Sequence, residues 1–502
     1  MQLLPTDEFD QLLIAHAHPP EWTNPSPEGR YNLVAVGGGT AGIVAALGAA
    51  ALGGRAALVE RDLLGGDCLN AGCVPSKALL SAARAAHLLT QGEQFGFHLA
   101  GPPRVDFAEI MRRMRRMRSQ ISRHDSAQRF AVLGVDVYFG EATFTGPDTL
   151  EVAGRQLRFH RAVIATGTRP VVPAIAGLDA SDFLTNETIF ALTELPRRLI
   201  VVGGGPVGCE LAQAFRRFGS EVHLIQRGES LLAKESPDAA RRVQSQLERE
   251  GVHFCLGWST QAVERVGDSI SMVIERQGDK RKLIADAILI ATGRTPNLEG
   301  LGLEAAGVRA TPDGVEVNER LQTANPRIFA AGDVCSSFKF THAADAMARL
   351  CLRNALFFGR KKFSSLVIPR CTYTDPAVAQ VGWTAAEARQ RGIEVDCFRV
   401  EMAEVDRAVV DGEEAGFAEV LVRRRTGRVV GATVVAREAG ELIAEIVLLM
   451  TQRRTLAHLA QTIHCYPTQS EVWKRIADSY TRTRLTPTVA KALDRWLAWW
   501  RR

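Results

Sequence analysis

"YNLVAVGGGTAGIVAALGAAALGGRAALVERD", residues 31–62, reads as strand, glycine turn, small-residue helix and second strand. Gly37, Gly39 and Gly42 have the G-x-G-x-x-G spacing. There the backbone must turn tightly, approach a pyrophosphate and let the helix pack on the sheet. Glu60 closes the second strand 23 residues after Gly37, where a carboxylate can grip both hydroxyls of an adenosine ribose. The stretch predicts a dinucleotide-binding βαβ unit, and the pattern returns at 197–229, "RRLIVVGGGPVGCELAQAFRRFGSEVHLIQRGE", with Gly203, Gly205 and Gly208. The same count of 23 lands there on Gln226, followed by Arg227. An amide and a guanidinium accept a 2′-phosphate that a carboxylate would repel, so the second site favours NADPH, with NADH as the alternative.

Two nucleotide folds in series imply electron transfer from a nicotinamide to a flavin. "AVIATGTRP" (162–170) and "AILIATGRTPN" (287–297) each end an apolar strand with a tight turn, at Gly167 and Gly293, as where a chain crosses between domains. "NPRIFAAGDV" (325–334) is a further buried strand with Asp333 at its carboxyl end, the edge where ligands of open α/β sheets gather.

The whole chain fits such an enzyme. Its 502 residues allow two or three domains, and 46% hydrophobic and 23% charged residues with a net charge of +5 describe an ordinary globular protein. That balance argues against a nucleic-acid track. The first thirty residues lack the basic start and apolar run of a signal peptide, no segment is apolar enough to span a bilayer, and a reducing cytoplasm is the expected setting. Nine cysteines are too sparse for a disulfide scaffold, and seven of them are expected in the core.

The other two, Cys68 and Cys73 in "GGDCLNAGCVPSKALL" (65–80), lie just after the first βαβ unit. Five apart in one helix they would be too far for an ideal bridge, but an irregular first turn can bring them together. A helix N-terminus favours the thiolate. The pair reads as redox-active; no second ligand pair stands at metal spacing, so no metal site is expected.

"CLNAGCVPSK" resembles the redox motif of the class I pyridine nucleotide-disulfide oxidoreductases, FAD enzymes that include dihydrolipoamide dehydrogenase, glutathione reductase and mercuric reductase. The resemblance runs from about residue 31 to 482, with the motifs in family order. It implies an α/β protein with two Rossmann-like domains, for FAD and NAD(P), and a C-terminal α+β dimerisation domain. The implied division is an N-terminal extension (1–29), the FAD domain in two parts (30–175 and 306–365), the NAD(P) domain (176–305), the interface domain (366–482) and an amphipathic C-terminal helix (483–502). Carried over by motif, Cys73 is the thiolate at the flavin and Cys68 the interchange thiol. Lys77 is the lysine beside the flavin, with Glu210 as its partner. Asp333 meets the ribityl chain and Glu60 the adenosine ribose.

Three stretches lean toward the mercuric-reductase-like branch: "ATGRTPNLEGLGLEAAGV", "VNERLQTANPRIFAAGDV" and "THAADAMARLCLRNALFFG". Yet the cysteine pair near the C-terminus that relays Hg(II) in those enzymes is missing, so an efficient Hg(II) reductase is not expected, and the acceptor is a small molecule or another metal ion. In "IHCYPTQSEVW" (463–473), Tyr466 stands where disulfide-reducing relatives carry the acid/base histidine, and Glu471 where they carry its orienting glutamate. Tyrosine titrates at about 10 and histidine at about 6.5, so Tyr466 is a poor proton shuttle, suited instead to hydrogen-bond a thiolate or ligate a metal; His464 is the alternative base, at a position that more often supports the loop. In the family this loop serves the other subunit's redox site, so a homodimer is implied. Alternatives are a dihydrolipoamide-dehydrogenase-type activity and a membrane-docked redox partner.

Two segments lie outside the family plan. "MRRMRRMRSQISRHDSAQRF", from 111, reads as a solvated arginine-rich helix with its methionines inward. In the tail, Val489, Ala492, Leu493, Trp496 and Trp500 share a stripe flanked by Lys491, Arg495, Arg501 and Arg502. This composition suits a helix on the inner membrane face, and docking on its own subunit or dimer mate fits equally.

Overall fold

The computed structural model describes residues 6–98, 101, 103–179 and 183–501. Arg502 of the tail stripe and the first five residues of the extension lie outside them. The described chain forms two compact units, one running up to Ser230 and resuming at Glu248–Leu366, the other combining Leu231–Leu247 with the chain from Val367 onward.

The first unit holds both nucleotide folds. Its larger sheet runs Val135–Phe139, Ala56–Glu60, Arg30–Val36 and Arg155–Ile164 in parallel, and Ile328–Ala330 adds in parallel to Arg155–Ile164. Leu33 to Val36 and Ala56 to Val59 are buried on both faces, which is why these strands read as unbroken apolar runs. The second sheet is again parallel, in the order Val252–Leu256, Glu221–Gln226, Arg198–Val202 and Ala287–Ile290. The two βαβ turns are built alike. A Cβ on Gly42 would stand 1.8 Å from the Gly37 carbonyl oxygen, and one on Gly208 would stand 1.9 Å from that of Gly203, so only glycine lets each helix start there. The predicted crossings after Gly167 and Gly293 meet one another: Thr168–Pro170 and Arg294–Pro296 form an antiparallel pair, and Asn297 exchanges hydrogen bonds with Thr166.

From residue 6 onward the N-terminal extension belongs to the structure of this unit. Its helix Glu8–Ala17, capped by Asp7, buries Leu13 and Ala17 in the same core as Leu58, Leu64 and Leu69. The arginine-rich helix Phe107–Ser122 buries Met111 and Met114 as expected, but Arg115 and Arg118 are buried too, against the reading of a solvated face. The reason is pairing: Arg115 Nε meets Asp7 Oδ2 at 2.6 Å, and Arg118 Nη2 meets Asp10 Oδ1 at 2.7 Å.

The second unit centres on a five-stranded antiparallel sheet in the order Arg370–Thr372, Ala377–Gly382, Val429–Ala436, Phe417–Arg423 and Val395–Glu401. Ala439–Thr451 and Glu471–Thr483 supply Ile446 and Trp473 to its core, and Trp473 Nε1 donates to the Leu442 carbonyl at 3.0 Å. Cys397 and Cys465 correct the expectation of seven core cysteines. Cys397 points outward from the edge strand, and Cys465 lies in an exposed loop. The final helix, Pro487–Trp500, buries none of its residues.

Candidate active site

The thiol pair straddles a break in the chain. Cys68 lies in a short helix, Gly66–Asn70, and Cys73 opens a long one, Cys73–Thr90, with Ala71 and Gly72 between them. The irregular first turn anticipated from the spacing is thus a complete interruption. Gly66 has φ +58°, and a Cβ on it would lie 2.6 Å from the Gly39 Cα. The redox loop therefore rests directly on the first glycine turn, and the close approach requires glycine at position 66.

The Cys68 S–H donates to the Cys73 sulfur, and this bond is the main reason the Cys73 thiol is lowered to about 6. Burial opposes it. The Thr341 hydroxyl, 3.4 Å from Cys73 Sγ, and the Lys77 ammonium assist. Cys68 is pushed upward, because its proton is held in the bond to Cys73, with burial and repulsion by Cys73 adding to the effect. The opposite directions make Cys73 the more acidic thiol of the reduced pair. Lys77 is one turn after Cys73 on the same helix face, and its Nζ is 2.7 Å from Glu210 Oε2, which is buried on Pro206–Phe218.

Sequence reading missed the residues that surround the loop. Asn186 donates to Asp67 Oδ1 at 2.9 Å and to the Ala71 carbonyl at 3.1 Å. Arg294 is 3.1 Å from Asp67 and donates to Thr168 Oγ1 at 2.8 Å, which in turn donates to Asp333 Oδ2 at 3.2 Å. A signal existed for Arg294, which follows Gly293, and for Thr341, which opens the helix Thr341–Leu356. Asn186 carried none.

The nucleotide turns compare directly. Glu60 Oε2 accepts from the Gly38 amide at 2.6 Å and Oε1 from Asp62 at 2.8 Å, while burial raises its carboxyl above the usual range. Gln226 Oε1 accepts from the Gly204 amide at 3.0 Å, the equivalent bond without the charge, and Arg227 beside it is exposed. Asp333 is raised mainly by burial, against the pull of Arg294 and Lys339. A carboxylate at the first turn, a second at the end of the Ile328–Ala330 strand, and Cys73 and Lys77 reaching solvent on one helix face fit FAD.

The loop residues lie in the second unit. The Tyr466 hydroxyl donates to Asp406 Oδ2 at 2.9 Å, which raises its pKa further. Glu471 lies 3.3 Å from Arg475. His464 Nε2 is 3.1 Å from Glu445 Oε1, with the imidazole largely buried.

Two family signatures match the chain, pyridine nucleotide-disulphide oxidoreductase over 31–348 and the dimerisation domain of the same family over 368–477. The second supports a homodimer. Mercuric reductase of Streptomyces lividans is 36% identical over 90% of this chain and 96% of its own, and that of Staphylococcus aureus 34% over 91% and 83%. Dihydrolipoyl dehydrogenase of Bacillus subtilis is 30% identical over 88% of this chain and 96% of its own. Among solved structures, the HOCl-induced flavoprotein disulfide reductase RclA of Escherichia coli aligns with TM-score 0.80 and 26% identity, covering 89% of this chain and 99% of that one.

The shared proton sets the first prediction. In the reduced, FAD-loaded enzyme the long-wavelength absorbance of a thiolate against flavin falls as pH drops through about 6. Cys68→Ala removes the donor and raises that midpoint by about one unit or more, and Thr341→Val raises it less. A spectrophotometric pH titration measures both.

Proposed function

The chain belongs to the FAD-dependent pyridine nucleotide-disulphide oxidoreductases, and we propose that it is an NADPH-driven reductase whose Cys68–Cys73 pair passes two electrons to a small oxidant or metal ion. On this reading residues 30–175 and 306–365 hold the flavin, 176–305 the nicotinamide, and 366–482 the dimer interface. Gly37, Gly39, Gly42, Glu60, Gly167 and Asp333 hold FAD, which when bound relays two electrons between nicotinamide and thiols. Gly203, Gly205, Gly208, Gln226, Arg227 and Gly293 take the nicotinamide nucleotide.

The observation that carries the proposal is the placement of the two thiols on either side of a helix break, with the Thr341 hydroxyl 3.4 Å from Cys73 and Lys77 one turn further on. A hydride from NADPH brings two electrons and one proton. The electrons break the Cys68–Cys73 bond, the proton stays on Cys68, and Cys73 is left as thiolate, so the step balances without an outside acid. Lys77, held by Glu210, keeps a positive charge beside that thiolate.

The acceptor follows from the loop. Tyr466, tied to Asp406, is not a neutral-pH base, which disfavours disulfide exchange and leaves acceptors that need no proton shuttle. RclA, solved also as a Cu(II) complex, is consistent with a metal-ion acceptor. One observation favours a second reading, disulfide reduction of the dihydrolipoyl dehydrogenase type: His464 and Glu445 form an oriented imidazole–carboxylate pair in the same loop region.

A peripheral contact completes the proposal. The helix Pro487–Trp500 exposes Val489, Leu493, Trp496 and Trp500, with Lys491, Arg495 and Arg501 outside that stripe. A cleft of about 400 Å³ in the same unit is lined by Arg423, Arg424, Arg425 and Arg484. A second copy meeting this stripe across a two-fold axis would set its flanking cations against their own kind, so an anionic lipid surface is the better partner.

Three outcomes test these readings. Gln226→Glu shifts the ratio of kcat/KM toward NADH by about tenfold, roughly 1.4 kcal/mol, because the carboxylate repels the 2′-phosphate. Steady-state assays with both nucleotides measure it, and a wild type that already prefers NADH would overturn the assignment. Tyr466→His raises turnover of lipoamide or glutathione disulfide by about tenfold or more while leaving NADPH-driven reduction of the thiols at its original rate. Rapid disulfide turnover in the wild type, lost in His464→Ala but kept in Tyr466→Phe, would establish the second reading instead. The dimer sediments with phosphatidylglycerol-containing vesicles but not with phosphatidylcholine alone, and Trp496→Ala with Trp500→Ala weakens this about tenfold. A change of oligomeric state without vesicle binding would give the face to a second copy.

A further inference from the structure

We infer that the N-terminal helix is a clamp on the redox loop, with Arg118, held by Asp10, as a positioning residue for Cys68 and Cys73. The observations form one connected path. Asp10 and Arg118 are both almost wholly buried, and their ion pair spans the extension helix Glu8–Ala17 and the helix Phe107–Ser122. The second arm of the same guanidinium, Nη1, donates at 2.9 Å to the main-chain carbonyl of Asn70, between the two cysteines. Asn70 in turn ties the loop to itself, its side-chain amide donating to the carbonyls of Gly66 at 2.9 Å and Leu64 at 3.2 Å.

The extension also grips the segment leading into the loop. The Leu64 amide donates to the Ala17 carbonyl at 3.1 Å, His18 Nδ1 lies 2.6 Å from the Asp62 carbonyl oxygen, and Leu69 packs in the same core as Leu13 and Ala17. Residues 62 to 70 are thus held at four points by, or through, a segment that precedes the matched family region at residue 31.

The chemistry explains why these residue types stand there. The Cys68 S–H must stay aimed at Cys73 across a break in the helix, and Ala71 and Gly72 offer little side chain to fix that break. An arginine can do so from a distance because its planar fork places two donors on two acceptors at once, one charged and one neutral. A lysine could keep the charge beside Asp10 but not both directed bonds. The buried guanidinium is tolerated because Asp10 compensates it; burial works against the charged form of both groups, and each offsets that for the other.

The clamp rests on the reading of Cys68 and Cys73 as the redox pair, and two measurements on the FAD-loaded, full-length dimer separate the two claims. The first is amide exchange of the peptide spanning 66–73, the second the pH midpoint of the thiolate absorbance. Asp10→Asn and Arg118→Lys each speed exchange of that peptide about tenfold and raise the midpoint, and the double variant does no more than the stronger single one. Arg115→Lys is the control, since Arg115 pairs with Asp7 on the same two helices but makes no bond to the loop; it loosens the extension alone. Should Asp10→Asn fail to fold, Arg118→Lys, which keeps the charge, decides. Unchanged loop exchange and midpoint in Arg118→Lys, with faster exchange in 7–17, would overturn the clamp and leave the extension a stabilising strap. Absence of any thiolate absorbance in the wild type would overturn the redox-pair reading, while the exchange arm would still decide the clamp.

Discussion

One proton between two sulfurs is the constraint to which the other features of this site answer. Two thiols five residues apart can come within bonding reach only if the helix between them is interrupted, because an unbroken helix holds them too far apart to bridge. The chain breaks the helix at Ala71 and Gly72, lets Cys73 begin a new one, and seats the break on the glycine turn of the nucleotide fold through Gly66. The stabilisation is local: a thiol donor, a hydroxyl at 3.4 Å and an ammonium one turn away. Each lowers the free energy of the anion, and together they outweigh the burial that opposes it.

The same economy governs the two nucleotide turns. Both place a side-chain oxygen on the second glycine amide, at 2.6 Å from Glu60 and 3.0 Å from Gln226, so the backbone geometry is preserved while the charge is not. The hydrogen bond is common to both turns, and only the first carries a carboxylate there.

What was legible in the sequence is what is local. The glycine spacings, the acid or amide 23 residues on, and the thiols with a lysine one turn later are set by backbone geometry over one or two turns. Glu210, the partner of Lys77, was reachable only through the family resemblance. Thr341, Asn186 and Arg294 reach the redox loop across 100 to 270 residues through the tertiary fold, and no periodicity encodes that. The arginine-rich helix misled for the same reason. By composition alone Arg115 and Arg118 belong to solvent, and only the acids of a distant extension make their burial tolerable.

The interface loop shows how little a residue's type decides without its partner. A tyrosine that donates to a carboxylate holds its proton more tightly, so Asp406 moves Tyr466 further from neutrality and makes it a donor with a fixed direction. His464, two residues earlier, is held against a different carboxylate, with Nε2 3.1 Å from Glu445 Oε1. Within three residues the chain thus carries two polar side chains, each fixed by its own carboxylate. On the proposed reading, reoxidation of Cys68 and Cys73 releases the Cys68 proton whichever acceptor is used, so disulfide exchange, which must also deliver protons to the leaving thiols, depends on an acid/base in this loop more than reduction of a metal ion does.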